Sequence, residues 1–324
     1  MNELEVPFQE ILDLLLDESH EFAKEHVYHF SDIDPAHLHT LLDAWPRIAL
    51  SRKRSFLTEL EEQLDADTLL SFDGLARALL NDEEGAVRAA AIRLLSECED
   101  DGLVPDFLDI LNNDKNDEAR TEAATALGAF VLYGELDEIP AEVLREIEDT
   151  LLRVTSGPEK PRIRQRALES LGYSSRKEMP ALLEAAYWRE SPMWKASALF
   201  AMGRSSDERW DEEVLGALVS DNRYVRLAAT QAAGELALSE ARPILLKMLE
   251  EEDDDAVFKA LVWSLSQIGG EDVRTYLESL LDQYDEEDGI QMDFIEEALA
   301  NLDFTDDFQQ LDMLGFDVDD PADV

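Results

Sequence analysis

The sequence predicts an all-α, right-handed α-solenoid of stacked antiparallel helical hairpins, about seven or eight units long. Three observations predict it. A short phrase recurs along the chain: an aliphatic residue, a basic residue, then small residues at helical spacing, often closed by glycine. It reads Val87-Arg88…Ala91, Ala119-Arg120…Ala123…Ala126-Leu127-Gly128, Ile163-Arg164…Ala167…Leu171-Gly172, Trp194-Lys195…Ala198…Met202-Gly203 and Val225-Arg226…Ala229…Ala233-Gly234, with a degenerate copy at Val257-Phe258…Leu261…Leu265. The copies keep a rhythm: 88 to 120 is 32 residues, 164 to 195 is 31, 195 to 226 is 31, and 226 to 258 is 32. Between the phrases lie amphipathic stretches, so each unit carries two helices of different character.

The first helices of the units are expected at Leu103–Leu111, Ala141–Val154, Met179–Trp188, Glu212–Val219, Arg242–Leu249 and Val273–Tyr284, where apolar residues fall three and four apart. Pro105, Pro140, Pro180 and Pro243 stand near their starts, where the missing N–H costs little. The second helices are rich in alanine, which lets neighbours approach closely in a layered stack. The glycine near their ends suits a turn with positive φ. One interval, 120 to 164, is 44 residues and lengthens its unit. Ala167-Leu168-Glu169-Ser170-Leu171-Gly172-Tyr173-Ser174-Ser175 aligns in register with Ala198-Leu199-Phe200-Ala201-Met202-Gly203-Arg204-Ser205-Ser206, a match that chance seldom gives.

The flanks differ. Residues 1–75 hold amphipathic stretches at Val6–Leu16, His37–Trp45 and Arg54–Leu64 without the phrase, which reads as a divergent N-terminal helical cap shielding the first core face. The repeat region is placed at 76–302, its last helix at Ile290–Leu302. Residues 303–324 form an acidic-hydrophobic tail, with eight aspartates and no Lys or Arg among Phe304, Phe308, Leu311, Met313, Leu314 and Phe316. Such a tail fits a short interaction motif that orders on binding, or a flap over the last repeat.

The phrase resembles the HEAT repeat of the short bacterial, phycobilin-lyase type. The resemblance rests on an acid, Val-Arg, spaced alanines and Leu-Gly between Asp82 and about Gly270. It implies an α-solenoid acting as a scaffold or adaptor and brings no catalytic residues. Tetratricopeptide and ankyrin signatures are missing from the sequence.

Composition bounds the function. A chain of 324 residues with net charge −47 is a poor ligand for nucleic acid or an anionic membrane, whose affinity comes from Lys and Arg. Two accounts of the acidity stand: solubility or adaptation to high salt, and attraction to a basic protein partner. No apolar run is long enough to span a bilayer. The N-terminus has no basic n-region, and Cys98 is the single cysteine, so the expectation is a cytoplasmic protein without disulfides.

The site residues follow from register and charge. Phe200 and Trp263 fall at the same phrase position and are candidate partner anchors. Arg162, Arg164 and Arg166, with Lys160, form a basic cluster in the lengthened unit that could grip an acidic segment, the chain's own tail included. Arg47, Arg52, Lys53 and Arg54 form another. Phe308, Leu314 and Phe316 are the tail's candidate contacts. The acids before each second helix are expected to cap it, and the repeated Arg to pair with an acid of its own or the next unit. All five histidines, His20, His26, His29, His37 and His39, lie in one stretch, and with Glu21 and Glu25 they raise a zinc or iron site as the alternative. The His-Glu pairs that mark HEAT-like di-iron hydroxylases do not recur here. No catalytic residue, cofactor site or metal ligand is assigned. The expected function is a non-catalytic protein-binding scaffold or adaptor, with a metal-dependent or chromophore-lyase-like enzyme or accessory subunit on the same scaffold as the rival. The oligomeric state is left open.

Overall fold

A computed structural model describes residues 7–20, 22–283 and 289–313, and every described element is helical or a turn. Before the repeats come α1 (Phe8–Leu16), α2 (Pro35–Ala44) and α3 (Leu50–Ala66), with a tight 3-10 segment at Lys24–Phe30. Then seven hairpins follow: α4 (Asp73–Leu79) with α5 (Gly85–Arg93), α6 (Val104–Asn113) with α7 (Asp117–Glu135), α8 (Ala141–Ser156) with α9 (Pro161–Ser170), α10 (Met179–Tyr187) with α11 (Pro192–Arg204), α12 (Asp211–Ala217) with α13 (Arg223–Glu235), α14 (Arg242–Leu249) with α15 (Asp255–Ile268), and α16 (Glu271–Leu281) with α17 (Gly289–Met313). No described helix is long and apolar enough to cross a membrane.

The chain divides into two compact units, Met1–Ser170 and Leu171–Val324. In the first, α3, α5, α7 and α9 pack successively on one another, and α4, α6 and α8 pack on their hairpin partners. In the second, α11, α13, α15 and α17 make the corresponding row, backed by α10, α12, α14 and α16. This is the α-solenoid arrangement, in which each hairpin buries its apolar face against its neighbours. The phrase supplies the seam: Val87, Ala119, Ile163, Trp194, Val225 and Val257 are all buried, as are Ala91, Ala123, Ala167, Ala198, Ala229 and Leu261.

The phrase glycines do something other than expected. Among the described residues only Gly269 and Gly270 have positive φ among glycines, so the phrase glycines do not end their helices by left-handed turns. They are close-approach points instead. A Cβ on Gly172 would lie 2.9 Å from the Cα of Ala201, one on Gly203 2.7 Å from the Cα of Ala232, and one on Gly234 2.8 Å from the Cα of Ser264. Gly128 stands in the same relation to Ser170, at 3.2 Å from its Cα. The left-handed residue comes three positions after a glycine and is not itself glycine: Asp137, Ser206 and Ala237 have φ of 61°, 49° and 48°.

The repeated basic residue ties layers together. Arg88 donates from Nε and Nη2 to Asp114 at 2.6 Å each and from Nη1 to the Asp82 carbonyl. Arg120 donates to the Leu111 carbonyl at 2.8 Å and pairs with Glu159 at 2.8 Å. Arg164 donates to the Thr155 carbonyl at 2.9 Å. Arg226 grips Glu252 with two bonds of 3.0 Å and reaches the Ser220 carbonyl. Arg120 and Arg164 thus satisfy a carbonyl in the last turns of their own first helix, and Arg88 and Arg226 one in the loop that follows it. Arg88, Arg120 and Arg226 also hold an acid of the next unit. Lys53 extends the pattern into the cap by pairing with Asp82 at 3.4 Å, and Trp45 donates to the same carboxylate at 2.6 Å. Lys195 departs from it and lies over the Tyr187 ring at 4.3 Å. Asn116, Asn222 and Asp254 cap α7, α13 and α15 with their side chains; of these only Asp254 is one of the acids expected to cap, and Glu84 before α5 makes no side-chain cap bond.

The lengthened unit puts its extra residues into helix. α7 has 19 residues and α8 has 16, longer than the other members of their rows before α17. α17 runs to Met313, past Leu302, where the sequence reading ended it; neither Gly nor Pro interrupts the chain between Gly289 and Gly315.

Candidate functional site

Two grooves run along the rows that α3, α5 and α7 form in the first unit and α13, α15 and α17 in the second. In the first unit, Glu61, Leu64 and Asp65 of α3, Arg93 of α5 and Glu122, Thr125 and Ala126 of α7 line one. Arg93 stands six residues after Val87, the phrase position that Phe200 and Trp263 occupy in later copies. Its guanidinium pairs with Glu61 through two bonds of 3.0 Å and lies 3.5 Å from Glu118 and 3.7 Å from Glu122. The acids of that groove are therefore served by a cation of the chain itself. They hold the Arg93 pKa above its usual value against the cost of burial.

In the second unit, Leu227, Gln231 and Glu235 of α13, Ala256, Lys259, Ala260, Trp263, Ser264 and Gln267 of α15 and Phe294 of α17 line a groove of about 550 Å³. Its lining mixes apolar and polar side chains. Trp263 and Phe294 are half-buried. Glu235 is reached by solvent, yet neighbouring helices crowd its carboxyl. That crowding raises its pKa, while Arg204 pulls in the opposite direction. Lys259 pairs with Asp255 one turn away on its own helix, at 3.3 Å.

Phe200, the equivalent of Trp263 on α11, is half-buried as well. The guanidinium of Arg204, one turn on, stacks over it at 4.2 Å from the ring centroid and over Tyr173 at 4.8 Å. Aligned by the phrase, Phe200, Gln231 and Trp263 occupy one row, and Arg204, Glu235 and Gln267 a second row one turn further along. The sequence singled out the first row. It missed the second, whose signal was the same register read four residues on.

The other candidates are placed as follows. Arg166 pairs with Glu169, Lys160 with Asp117, and Arg162 is exposed. Arg52 is buried and donates to the carbonyls of Asp17 and His20. Trp194 is core, as its phrase slot implied. The backbone of Phe308 lies in α17 with its side chain outside the described residues, as Leu314 and Phe316 are altogether. His20, His37 and His39 face Asp17, Asp34 and Asp43 on their own turns. His26 and His29 come within 6.4 Å, ring to ring, on the 3-10 turn. Among the described residues no group of three or more His, Cys, Asp or Glu side chains is arranged to hold a metal ion.

A stack of two-helix units tied by a recurrent Val-Arg phrase defines an α-solenoid repeat protein. The family model of HEAT repeats matches residues 72–150 and 212–292, so the chain carries HEAT repeats over those two stretches. No curated protein matches it. Among solved structures, Escherichia coli YibA is 15% identical, with 89% of this chain and 99% of that one covered and a TM-score of 0.42. Human deoxyhypusine hydroxylase in complex with glycerol is 15% identical over 81% of this chain and 95% of its own, with a TM-score of 0.36. Kap95 in the Kap95:Nup1 complex is 12% identical over 90% of this chain and 46% of its own, with a TM-score of 0.40.

Proposed function

We propose that this chain is a non-catalytic scaffold or adaptor that binds a protein partner on the second-helix face of the unit Leu171–Val324. Stacked repeats offer long surfaces built from equivalent positions, and binding there is distributed over several layers. The observation that carries the reading is the pair Phe200 and Trp263. Both hold the same phrase position on α11 and α15, both are half-buried, and Trp263 borders an open groove lined by second helices only. Large aromatics that remain accessible beside polar groups are what interface anchors need.

The test is affinity capture with the full chain and a Phe200→Ala, Trp263→Ala variant whose circular dichroism and melting match the wild type. The expected result is at least one protein captured by the wild type, depleted several-fold by the double substitution, and retained by Glu146→Ala on α8, which belongs to the other unit. Equal capture by all three proteins removes this face as the binding surface.

A further inference from the structure

Three places on the second-helix rows bring acids or aromatic faces together, and two of them contain a guanidinium from the chain itself. In the α3–α5–α7 groove Arg93 lies among Glu61, Glu118 and Glu122. On α11, Arg204 stacks on Phe200 and Tyr173. The third place is the groove between α13, α15 and α17. It has an indole at the ring position, Trp263, and a carboxylate at the next row, Glu235, but the residue one turn after the ring is Gln267, where α11 has Arg204. Among the described residues no cation stacks on Trp263; the Glu235 carboxylate, whose Oε2 lies toward Gly203 of α11, feels the charge of Arg204, which itself stacks on Phe200 and Tyr173. Lys259, the groove's only Lys or Arg among its lining residues, is engaged by Asp255.

We infer that this groove receives an arginine side chain from an extended segment of a protein partner, with its guanidinium on the Trp263 face and paired with the Glu235 carboxylate. The inference rests on the binding role proposed above and states the partner's chemistry. Charge complementarity supports it: a carboxylate beside an indole face attracts a planar cation both by ion pairing and by the ring quadrupole. Arginine fits better than lysine because its flat fork can stack and donate at once, as Arg204 stacks on two rings in the neighbouring layer. The apolar side chains of Leu227, Ala260 and Phe294 in the lining suit the methylene stem. Burial raises the Glu235 pKa despite the pull of Arg204, so a cation brought to this crowded carboxylate would stabilise its charged form. The net charge of −47 draws any basic segment toward the molecule, so the test must separate this groove from general attraction.

The probe is a fluorescein-labelled dodecapeptide of alternating Arg and Ala, with Lys-Ala and Glu-Ala versions, titrated by anisotropy into the full chain at about 0.15 M salt, where exposed charges are screened beyond ~8 Å. The proteins are wild type, Glu235→Gln, Trp263→Leu and Glu142→Gln, the last removing one exposed charge from α8 in the other unit. The expected result is binding of the Arg peptide weakened about tenfold by Glu235→Gln and by Trp263→Leu, the scale of one charge-assisted hydrogen bond, and little changed by Glu142→Gln. The Lys peptide should bind more weakly than the Arg peptide, and the Glu peptide not measurably. Equal losses for Glu235→Gln and Glu142→Gln mean general charge attraction and overturn the inference, as does equal binding of all three peptides or none. A partner lost by the Phe200→Ala, Trp263→Ala variant but kept by Glu235→Gln would leave the binding face standing and remove the arginine reading alone.

Discussion

At the scale of single residues, the phrase glycine shows how one position can be read correctly as important and wrongly in its reason. Its place near a helix end suggested a left-handed turn, yet Gly203 is inside α11 and faces Ala232 of α13. Its missing side chain sets the distance between helices. Gly203→Ala should therefore destabilise by about 1–3 kcal/mol, because the new methyl meets backbone, which cannot swing away. Gly216 in α12 is the control: a Cβ there meets nothing within 4 Å, so Gly216→Ala should be neutral or stabilise by up to about 1 kcal/mol. Urea unfolding of both variants checks this, and similar midpoints would mean the row of second helices is spaced by something else. The turn itself falls to Ala237 and Ser206, where nothing in their side chains announces a positive φ.

At the scale of elements, capping and the arginine ladder decide how one hairpin meets the next. Sequence spacing implied that the repeated Arg pairs with an acid; the structure shows that the acid belongs to the following unit for Arg88, Arg120 and Arg226. Hydrogen bonds from Arg226 are the main cause that holds the Glu252 carboxyl below its usual pKa. An acid whose folded pKa is depressed contributes stability that is present above the ordinary carboxylate range and lost as pH falls through the folded value. Arg226→Met should accordingly cost about 2 kcal/mol near pH 7, the pair being mostly but not wholly shielded, and the gap from wild type should shrink toward pH 3. Denaturation midpoints at the two pH values measure it; a gap that grows in acid has the wrong sign for this ladder. Element boundaries of the first helices were legible because amphipathic spacing is local. The 3-10 segment at Lys24–Phe30 was not, since its packing of Phe30 on Phe56 is a contact across distant sequence.

At the scale of the whole molecule, charge is the dominant quantity. With net charge −47, like charges repel one another in the folded state more than in an expanded chain. Added salt shortens the range of that repulsion. The melting temperature should rise by several degrees between about 0.02 and 0.5 M sodium chloride, a range over which the Debye length falls severalfold. A flat or falling melting temperature would show that the arginine ladders already offset the repulsion, and that surface acidity does not limit stability. The same acidity adds a general attraction to whatever the Glu235 groove contributes locally, and added salt should weaken that general part of the peptide binding.

The sequence by itself determined the repeat, its period, the alternation of two helix types and the buried seam, because a phrase copied every 31 or 32 residues states the same local physics each time. It also singled out Phe200 and Trp263, which share a register. Only the tertiary structure decided that the phrase glycines space helices, that each ladder acid comes from the next layer, and that Glu235 joins Trp263 while Arg204 covers Phe200. These are meetings between side chains about one repeat apart. Periodicity fixes which faces meet but not which atoms; that choice falls to packing.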